Sequence, residues 1–282
     1  MRKLLFLSIL SVGLMSACTD KVENKEIGLQ LYSLRDDVDS LGIEKVMEEV
    51  GLMGYSKVEL AGYSEGLIYG MEPLAFKELA EQHGLKVTST HVARNQTKDP
   101  EADMAFWSKA IETHAAMGVK FMVMPAYPFG GMDTITMEDV KQTCRYLNEV
   151  GEMAAEAGLK FGYHNHHYEF LNTVDGTPIY DLMLEHLDEA HVFLQMDVYW
   201  TFVGGYDPVN YFKDYPGRFP VLHIKDQHAI GASGNIDFAA IFETAYEQGM
   251  VDYYVEVEEY AGTPMEDVKQ SFDYLNSAGF VK

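Results

Sequence analysis

The sequence predicts a single (β/α)8 TIM barrel, and three observations predict it. Eight short apolar runs alternate with eight helical patterns between residues 26 and 282. The connections that follow the strands are longer and more polar than the tight turns that precede them. Residues able to bind metal or move protons gather at the C-terminal ends of the strands, which a closed parallel barrel brings to one face. A chain of 282 residues that is 47% hydrophobic suits one such domain, typically about 250 residues. A doubly wound open sheet explains the pattern less well, because it seldom needs eight regular units and usually carries a glycine fingerprint that this chain lacks.

The first strand is expected over Ile27–Ser33, followed by Arg35-Asp36-Asp37 and a helical pattern through Ile43, Val46, Met47 and Val50 that Gly51 and Gly54 close. The second strand, Tyr55–Leu60, ends in Glu59 and precedes a helix from about Pro73 to His83. The third, Leu85–His91, is β-branched, and its helix spans Pro100–Met117. The fourth, Lys120–Met124, passes through a Pro- and Gly-rich loop, Pro125–Gly131, into the helix Met137–Ala157. The fifth begins at Leu159 and runs into Tyr163-His164-Asn165-His166-His167-Tyr168-Glu169, with a helix from Pro178 to about Leu187. The sixth, His191–Asp197, precedes an aromatic loop, Tyr199–Phe202, and a helix near Val209–Phe212. The seventh, Phe219–Ile224, is followed by the loop Gln227–Gly234 and the helix Phe238–Gly249. The eighth, Tyr253–Glu258, leads to a last helix, Met265–Ala278.

Ahead of the barrel, Met1-Arg2-Lys3, the apolar run from Leu4 to Leu10 and Leu14-Met15-Ser16-Ala17-Cys18 resemble a bacterial lipoprotein signal. The expected organisation is therefore a leader over 1–17, lipid on Cys18, a polar tether over 18–25 and a catalytic barrel over 26–282. That places the domain in the periplasm or at the outer membrane, touching a membrane only through its anchor. Cys144 is then the single remaining cysteine, so no intrachain disulfide forms. It lies in a helical pattern with no base nearby and is expected to be buried and structural.

The net charge is −23, and loss of Arg2 and Lys3 with the leader deepens it. Such a surface repels phosphate backbones and argues against nucleic acid as a partner. No Walker or dinucleotide glycine loop is present.

In a barrel the strand-end residues His164, Asp197, His223 and Glu256 converge although about ninety residues of sequence separate them. Two imidazoles and two carboxylates suit Mn²⁺, Co²⁺ or Zn²⁺. Alternation along the fifth strand sends His164 and His166 to one face and Asn165 and His167 to the other. Glu59 and His91 are expected to line the opposite wall and bind substrate hydroxyls, and Trp200, next to Tyr199, to stack on a ring. Glu169 and His167 are candidates for orienting the metal ligands.

The run Gly28–Arg35 and the strand ends Lys57-Val58-Glu59, Asp197–Trp200, His223–Asp226 and Val255–Glu258 resemble the sugar phosphate isomerase/epimerase family, the xylose-isomerase-like TIM barrels, over everything after the tether. The resemblance implies a divalent-metal-dependent carbohydrate enzyme that removes a proton alpha to a carbonyl. It matches Asp197, His223 and Glu256 to metal ligands, and makes Glu256 the first choice of base, with Glu258, His166 and Lys225 as further proton-transfer candidates sharing its inward parity. In the keto-sugar epimerases the fifth-strand ligand is usually a glutamate, where this chain has His164; a metal-bound imidazole has no free lone pair with which to take a proton, so epimerisation from two faces is not expected of it. The expected activity is a sugar isomerase/epimerase type of reaction. The alternatives are a lyase acting on 3-keto-glycosides by β-elimination and a non-catalytic sugar-binding lipoprotein.

Anchoring is directly testable. A Cys18→Ser protein is expected to remain unprocessed or to appear in the soluble fraction, because the acyl chains hold the domain to the bilayer; fractionation that finds the native protein in the cytosol would contradict the leader.

Overall fold

Eight short parallel strands close in sequence order: β1 (Gly28–Gln30), β2 (Lys57–Leu60), β3 (Lys86–His91), β4 (Phe121–Met124), β5 (Lys160–His164), β6 (Val192–Asp197), β7 (Val221–Lys225) and β8 (Asp252–Glu256), with β8 pairing back to β1. This is the expected (β/α)8 barrel. The computed structural model describes residues 25–282; the expected leader, Cys18 and the tether up to residue 24 lie outside the described residues. Among the described residues no helix is long and apolar enough to cross a membrane.

The barrel floor is filled by Phe121, Val123, Phe193, Val221 and Tyr254, a cluster separate from the outer core. Phe121 and Phe193 meet edge to face at 5.6 Å between ring centroids. Two glycines make room for these rings. A Cβ on Gly162 would lie 2.6 Å from Phe193, and one on Gly28 would lie 2.5 Å from Tyr254, so neither strand position tolerates a side chain while its aromatic partner stays in place. Filling the floor with rings leaves the space above it to polar side chains.

The outer layer is α1 (Arg35–Leu41), α2 (Ile43–Met53), α3 (Pro73–Gln82), α4 (Pro100–Met117), α5 (Met137–Glu156), α6 (Tyr168–Leu171), α7 (Ile179–His186), α8 (Val198–Val203), α9 (Pro208–Asp214), α10 (Phe238–Glu247) and α11 (Pro264–Ser277). Their boundaries follow local chemistry. Asp99 caps α4 and is followed by Pro100, while Thr136 with Asp139 and Thr263 with Glu266 form capping boxes on α5 and α11; each such cap contributes about 1 kcal/mol. Gly54 and Gly118 end α2 and α4 in the left-handed region. Cys144 is buried in α5, and burial pushes its thiol up to about 12, the inert structural cysteine expected.

Several local expectations differ. The first strand stops at Gln30, where that side chain accepts from Tyr32 N–H at 3.0 Å and turns the chain into a 3-10 helix, Leu31–Leu34. The aromatic segment Tyr199–Phe202 is helical, within α8. The eighth strand ends at Glu256, which leaves Glu258 in the following loop. Two hairpins, Tyr63–Ser64 with Leu67–Ile68 and Thr173–Val174 with Thr177–Pro178, decorate the strand ends. Their turns, Glu65-Gly66 and Asp175-Gly176, hold both residues at positive φ, the conformation for which such pairs are selected.

The α4 helix carries an acid-sensitive contact. His114 Nδ1 lies 2.8 Å from the Ala110 carbonyl and Nε2 lies 3.1 Å from the Thr90 hydroxyl, and burial favours the neutral ring, lowering its pKa to about 4. Its folded-state pKa is depressed below the unfolded value, so its contribution is complete above about pH 6.5 and is lost as pH falls through about 4. Denaturation curves between pH 7 and 4 are expected to show up to about 3 kcal/mol of this loss, at roughly 1.4 kcal/mol for each tenfold change in proton affinity. A His114→Gln protein should be less stable at pH 7 but show a flatter acid slope; an unchanged slope would refute the assignment.

Candidate metal centre and active site

Three of the four candidate ligands are delivered by the last residue of a strand, and the fourth comes from mid-strand. His164 ends β5, Asp197 ends β6, His223 lies mid-β7 and Glu256 ends β8. Register places Asp197 opposite His223 and Lys225 opposite Glu256, so side chains of one parity meet at the barrel axis. Ligand atoms of His164, Asp197, His223 and Glu256 all lie within 4.8 Å of one another, and all four residues are buried. His91, His164 and His223 form a second such group. The His91 and His223 rings stack at 5.0 Å, and His164 meets His223 edge-on at 4.6 Å.

The donor set fits a metal ion, and Asp197 gives the clearest sign. Its Oδ1 caps α8 by accepting Trp200 N–H at 2.8 Å, while its Oδ2 is buried without a hydrogen-bond partner. A buried carboxylate oxygen left alone costs roughly 1–3 kcal/mol, and a cation removes that cost. Burial raises Asp197 to about 8 against the pull of Lys225 and His223. His223 is raised to about 10, because Glu59 and Glu256 on its two sides outweigh burial. Glu256 is held well below its usual range, burial being overcome by Lys225 and His223. His164 is pushed down by burial and by the neighbouring imidazoles, which keeps it neutral and available as a ligand.

The expected proton-transfer groups flank this cluster. Lys225 Nζ lies 3.5 Å from Glu256 and 2.5 Å from Glu258. His166 is directed at the site, its ring 5.0 Å from His164 and its Nδ1 without a partner. Glu256, Glu258, His91, His164 and His166 line a cavity of about 700 Å³, whose outer wall includes Tyr32, Tyr63, Arg94 and Phe106.

Four expectations change. Glu59 does not line a wall; it is fully buried beneath the histidines, accepting from Gln30, Ser89, Gln195 and His223. Trp200 is not a free-standing platform but part of the rim's packing: its indole N–H donates to Glu258 at 3.2 Å, the Lys225 ammonium sits 5.4 Å from its ring, and His167 packs on it at 4.9 Å. His167 therefore touches Trp200 and Tyr168 rather than a ligand. Glu169 orients no ligand directly; it accepts Tyr163 O–H and His166 N–H and so pins the turn that carries His166. Gln195, two residues before Asp197 on the same strand, is a site residue to which the sequence assigned no role. It shares inward parity with Asp197 two residues on, a signal the alternation of β6 would have given.

Replacing Asp197 or His223 with Ala is expected to abolish divalent-metal binding while leaving the barrel folded. Because burial raises Asp197 and the flanking carboxylates raise His223, ion uptake should release protons, and affinity should climb as pH rises. Calorimetry in two buffers of different ionisation enthalpy measures the release; wild-type protein with no micromolar affinity for any divalent ion would remove the site.

Comparison with known proteins agrees with this architecture. The profile of a family described as xylose isomerase-like TIM barrel matches residues 48–278. Inosose dehydratase of Lacticaseibacillus casei is 25% identical over 254 residues, spanning 76% of this chain and 82% of that protein. The crystal structure of a sugar phosphate isomerase/epimerase from Parabacteroides distasonis is 38% identical, with a TM-score of 0.84 over 92% of this chain and 100% of that one. The IolI protein, solved with a bound zinc atom, shares the fold at 17% identity and a TM-score of 0.70 over 91% of this chain and 98% of its own. With the family profile matching most of a closed eight-stranded barrel that carries a metal-competent cluster at its C-terminal mouth, the chain belongs to the xylose isomerase-like TIM-barrel family, and it is an enzyme of that family.

Proposed function

We propose that the protein removes the proton alpha to the carbonyl of a keto-sugar, assisted by a divalent ion held by His164, Asp197, His223 and Glu256, with Zn²⁺, Mn²⁺ or Co²⁺ as candidates. The observation that carries this reading is that Glu256, a member of the metal-competent cluster held in its ionised form, also lines a cavity large enough for a carbohydrate. A bound ion would supply Lewis-acid polarisation of the carbonyl oxygen. Glu256 takes the proton. The Lys225 ammonium, which burial alone would neutralise but which Glu256, Asp197 and Glu258 keep charged, returns one to an oxygen on the same side, with His166 as the neighbouring donor. Lys225 in turn is steered by Glu258, which Trp200 holds by its indole N–H. The leader and anchor read from residues 1–18 would put this chemistry outside the inner membrane, where neutral sugars are the accessible substrates.

His164 decides which outcome follows. An imidazole coordinated through one nitrogen and protonated on the other cannot take a proton, so only the Glu256 side serves the carbon. One-sided abstraction completes an isomerisation or an elimination, whereas epimerisation needs an acid or base on each face. A second reading, β-elimination from a keto-sugar such as a 3-keto-glycoside, is favoured by the dehydratase names of the curated relatives, since loss of water from a ketose is the same step with hydroxide as the leaving group.

The test is α-proton exchange in deuterated water with free ketoses and 3-keto-glycosides, followed by product analysis. Glu256→Gln is expected to lower exchange by about 10²–10⁴-fold. His164→Glu should keep the ion and gain C3 epimerase activity. Efficient C3 epimerisation of a free ketose by the unmodified protein would refute one-sided chemistry.

A further inference from the structure

Five donors converge on Glu59, a side chain that never reaches the cavity. Gln30 Nε2 lies 2.8 Å from its Oε1 and Gln195 Nε2 lies 2.8 Å from its Oε2; the Ser89 hydroxyl and His223 Nε2 complete the pair of oxygens, and His91 Nε2 is 3.1 Å from Oε1. Register explains the crowding. Gln30 and Ser89 sit beside Glu59 on β1 and β3, and the remaining donors reach it from β3, β6 and β7.

An ionised carboxylate only accepts hydrogen bonds, and that asymmetry propagates. Tyr32 N–H, which can only donate, holds Gln30 Oε1 at 3.0 Å, so the Gln30 amide must present its NH₂ to Glu59. Gln195 likewise turns its NH₂ to Glu59 and its Oε1 outward, where that oxygen lies 2.8 Å from His91 Nε2 and 3.2 Å from His164 Nδ1. An acceptor oxygen facing two ring nitrogens requires a hydrogen on each. The opposite arrangement would set lone pair against lone pair in a site from which water is excluded.

We propose that Glu59 is the positioning residue of this site, fixing the protonated nitrogen of three histidines at once. His164 then offers Nε2 and His223 offers Nδ1 to the ion, while His91 presents Nδ1 to the cavity as an acceptor for a substrate hydroxyl. Carboxylate–histidine–metal relays of this kind orient single ligands elsewhere; here one carboxylate serves two ligands and one substrate contact, the second ligand and the contact through Gln195. The metal-binding half of this assignment rests on the functional reading above.

Long-range ¹H–¹⁵N correlation spectra of the full chain labelled with ¹⁵N-histidine read the tautomers directly, with Zn²⁺ as the metal probe. The wild type is expected to show His164 protonated at Nδ1 and His91 at Nε2 without metal, and His223 protonated at Nε2 once Zn²⁺ is bound. In Glu59→Gln, whose amide can donate as well as accept, both His91 and His164 should become mixtures, and Zn²⁺ affinity should fall by about 10–100-fold. Ser89→Ala removes one donor without changing the polarity, so its tautomers should match the wild type. Reversed tautomers in the wild type overturn the proposal, whether or not Glu59→Gln folds. So does a folded Glu59→Gln that keeps both the wild-type tautomers and the wild-type Zn²⁺ affinity. A wild type with the assigned tautomers that binds no divalent ion refutes the functional reading and upholds the tautomer assignment.

Discussion

Closure of eight parallel strands forces side chains of one parity onto a common axis, and what fills that axis governs the rest of this molecule. At the N-terminal end the solution is aromatic: Phe193 and Tyr254 close the floor against the bare backbones of Gly162 and Gly28. Two residues further along the same strands the chain places Gln195 and Glu256. Apolar rings below and ionisable groups above meet across a single side-chain layer. The dry floor is what makes the polar layer electrostatically strong, because charges there have protein rather than water on one side.

That polar layer is short of positive charge. Glu59, Asp197 and Glu256 face His223 and Lys225, and the imbalance appears as opposite shifts: Asp197 is driven up while Glu59 and Glu256 are held down. Burying an uncompensated carboxylate is costly enough that it neutralises instead. A divalent ion offers the alternative. Held there, it would supply the missing charge at Asp197 Oδ2, a buried carboxylate oxygen without a hydrogen-bond partner.

Fold and the candidate metal cluster were legible in the sequence because both depend on periodicities the sequence displays. Alternation of strand and helix gave eight units, and residues at strand ends gave His164, Asp197, His223 and Glu256. What escaped reading depended on contacts between strands far apart in sequence. Glu59 looked like a wall residue from its own strand; its role follows only from Gln195 and His223, more than a hundred positions away. Trp200 looked like a free platform until Lys225 and His167 were found on its ring. The hairpin at Asp175-Gly176 was missed although its turn dipeptide is plainly written, because the two-residue strands flanking it are too short to show alternation.

Asp197 joins two jobs in one side chain. One oxygen starts the helix Val198–Val203, and the other, buried without a hydrogen-bond partner, is left for the candidate ion. The peptide that begins at the ligand thus also sets the angle at which Trp200, Glu258 and Lys225 meet, so occupancy of the centre and the shape of the rim share a hinge of one side chain. An asparagine at this position would keep the helix start yet forfeit the charge, whereas a glutamate would keep the charge and displace the helix. A substitution aimed at metal preference is therefore better placed at His164, His223 or Glu256, none of which caps a helix.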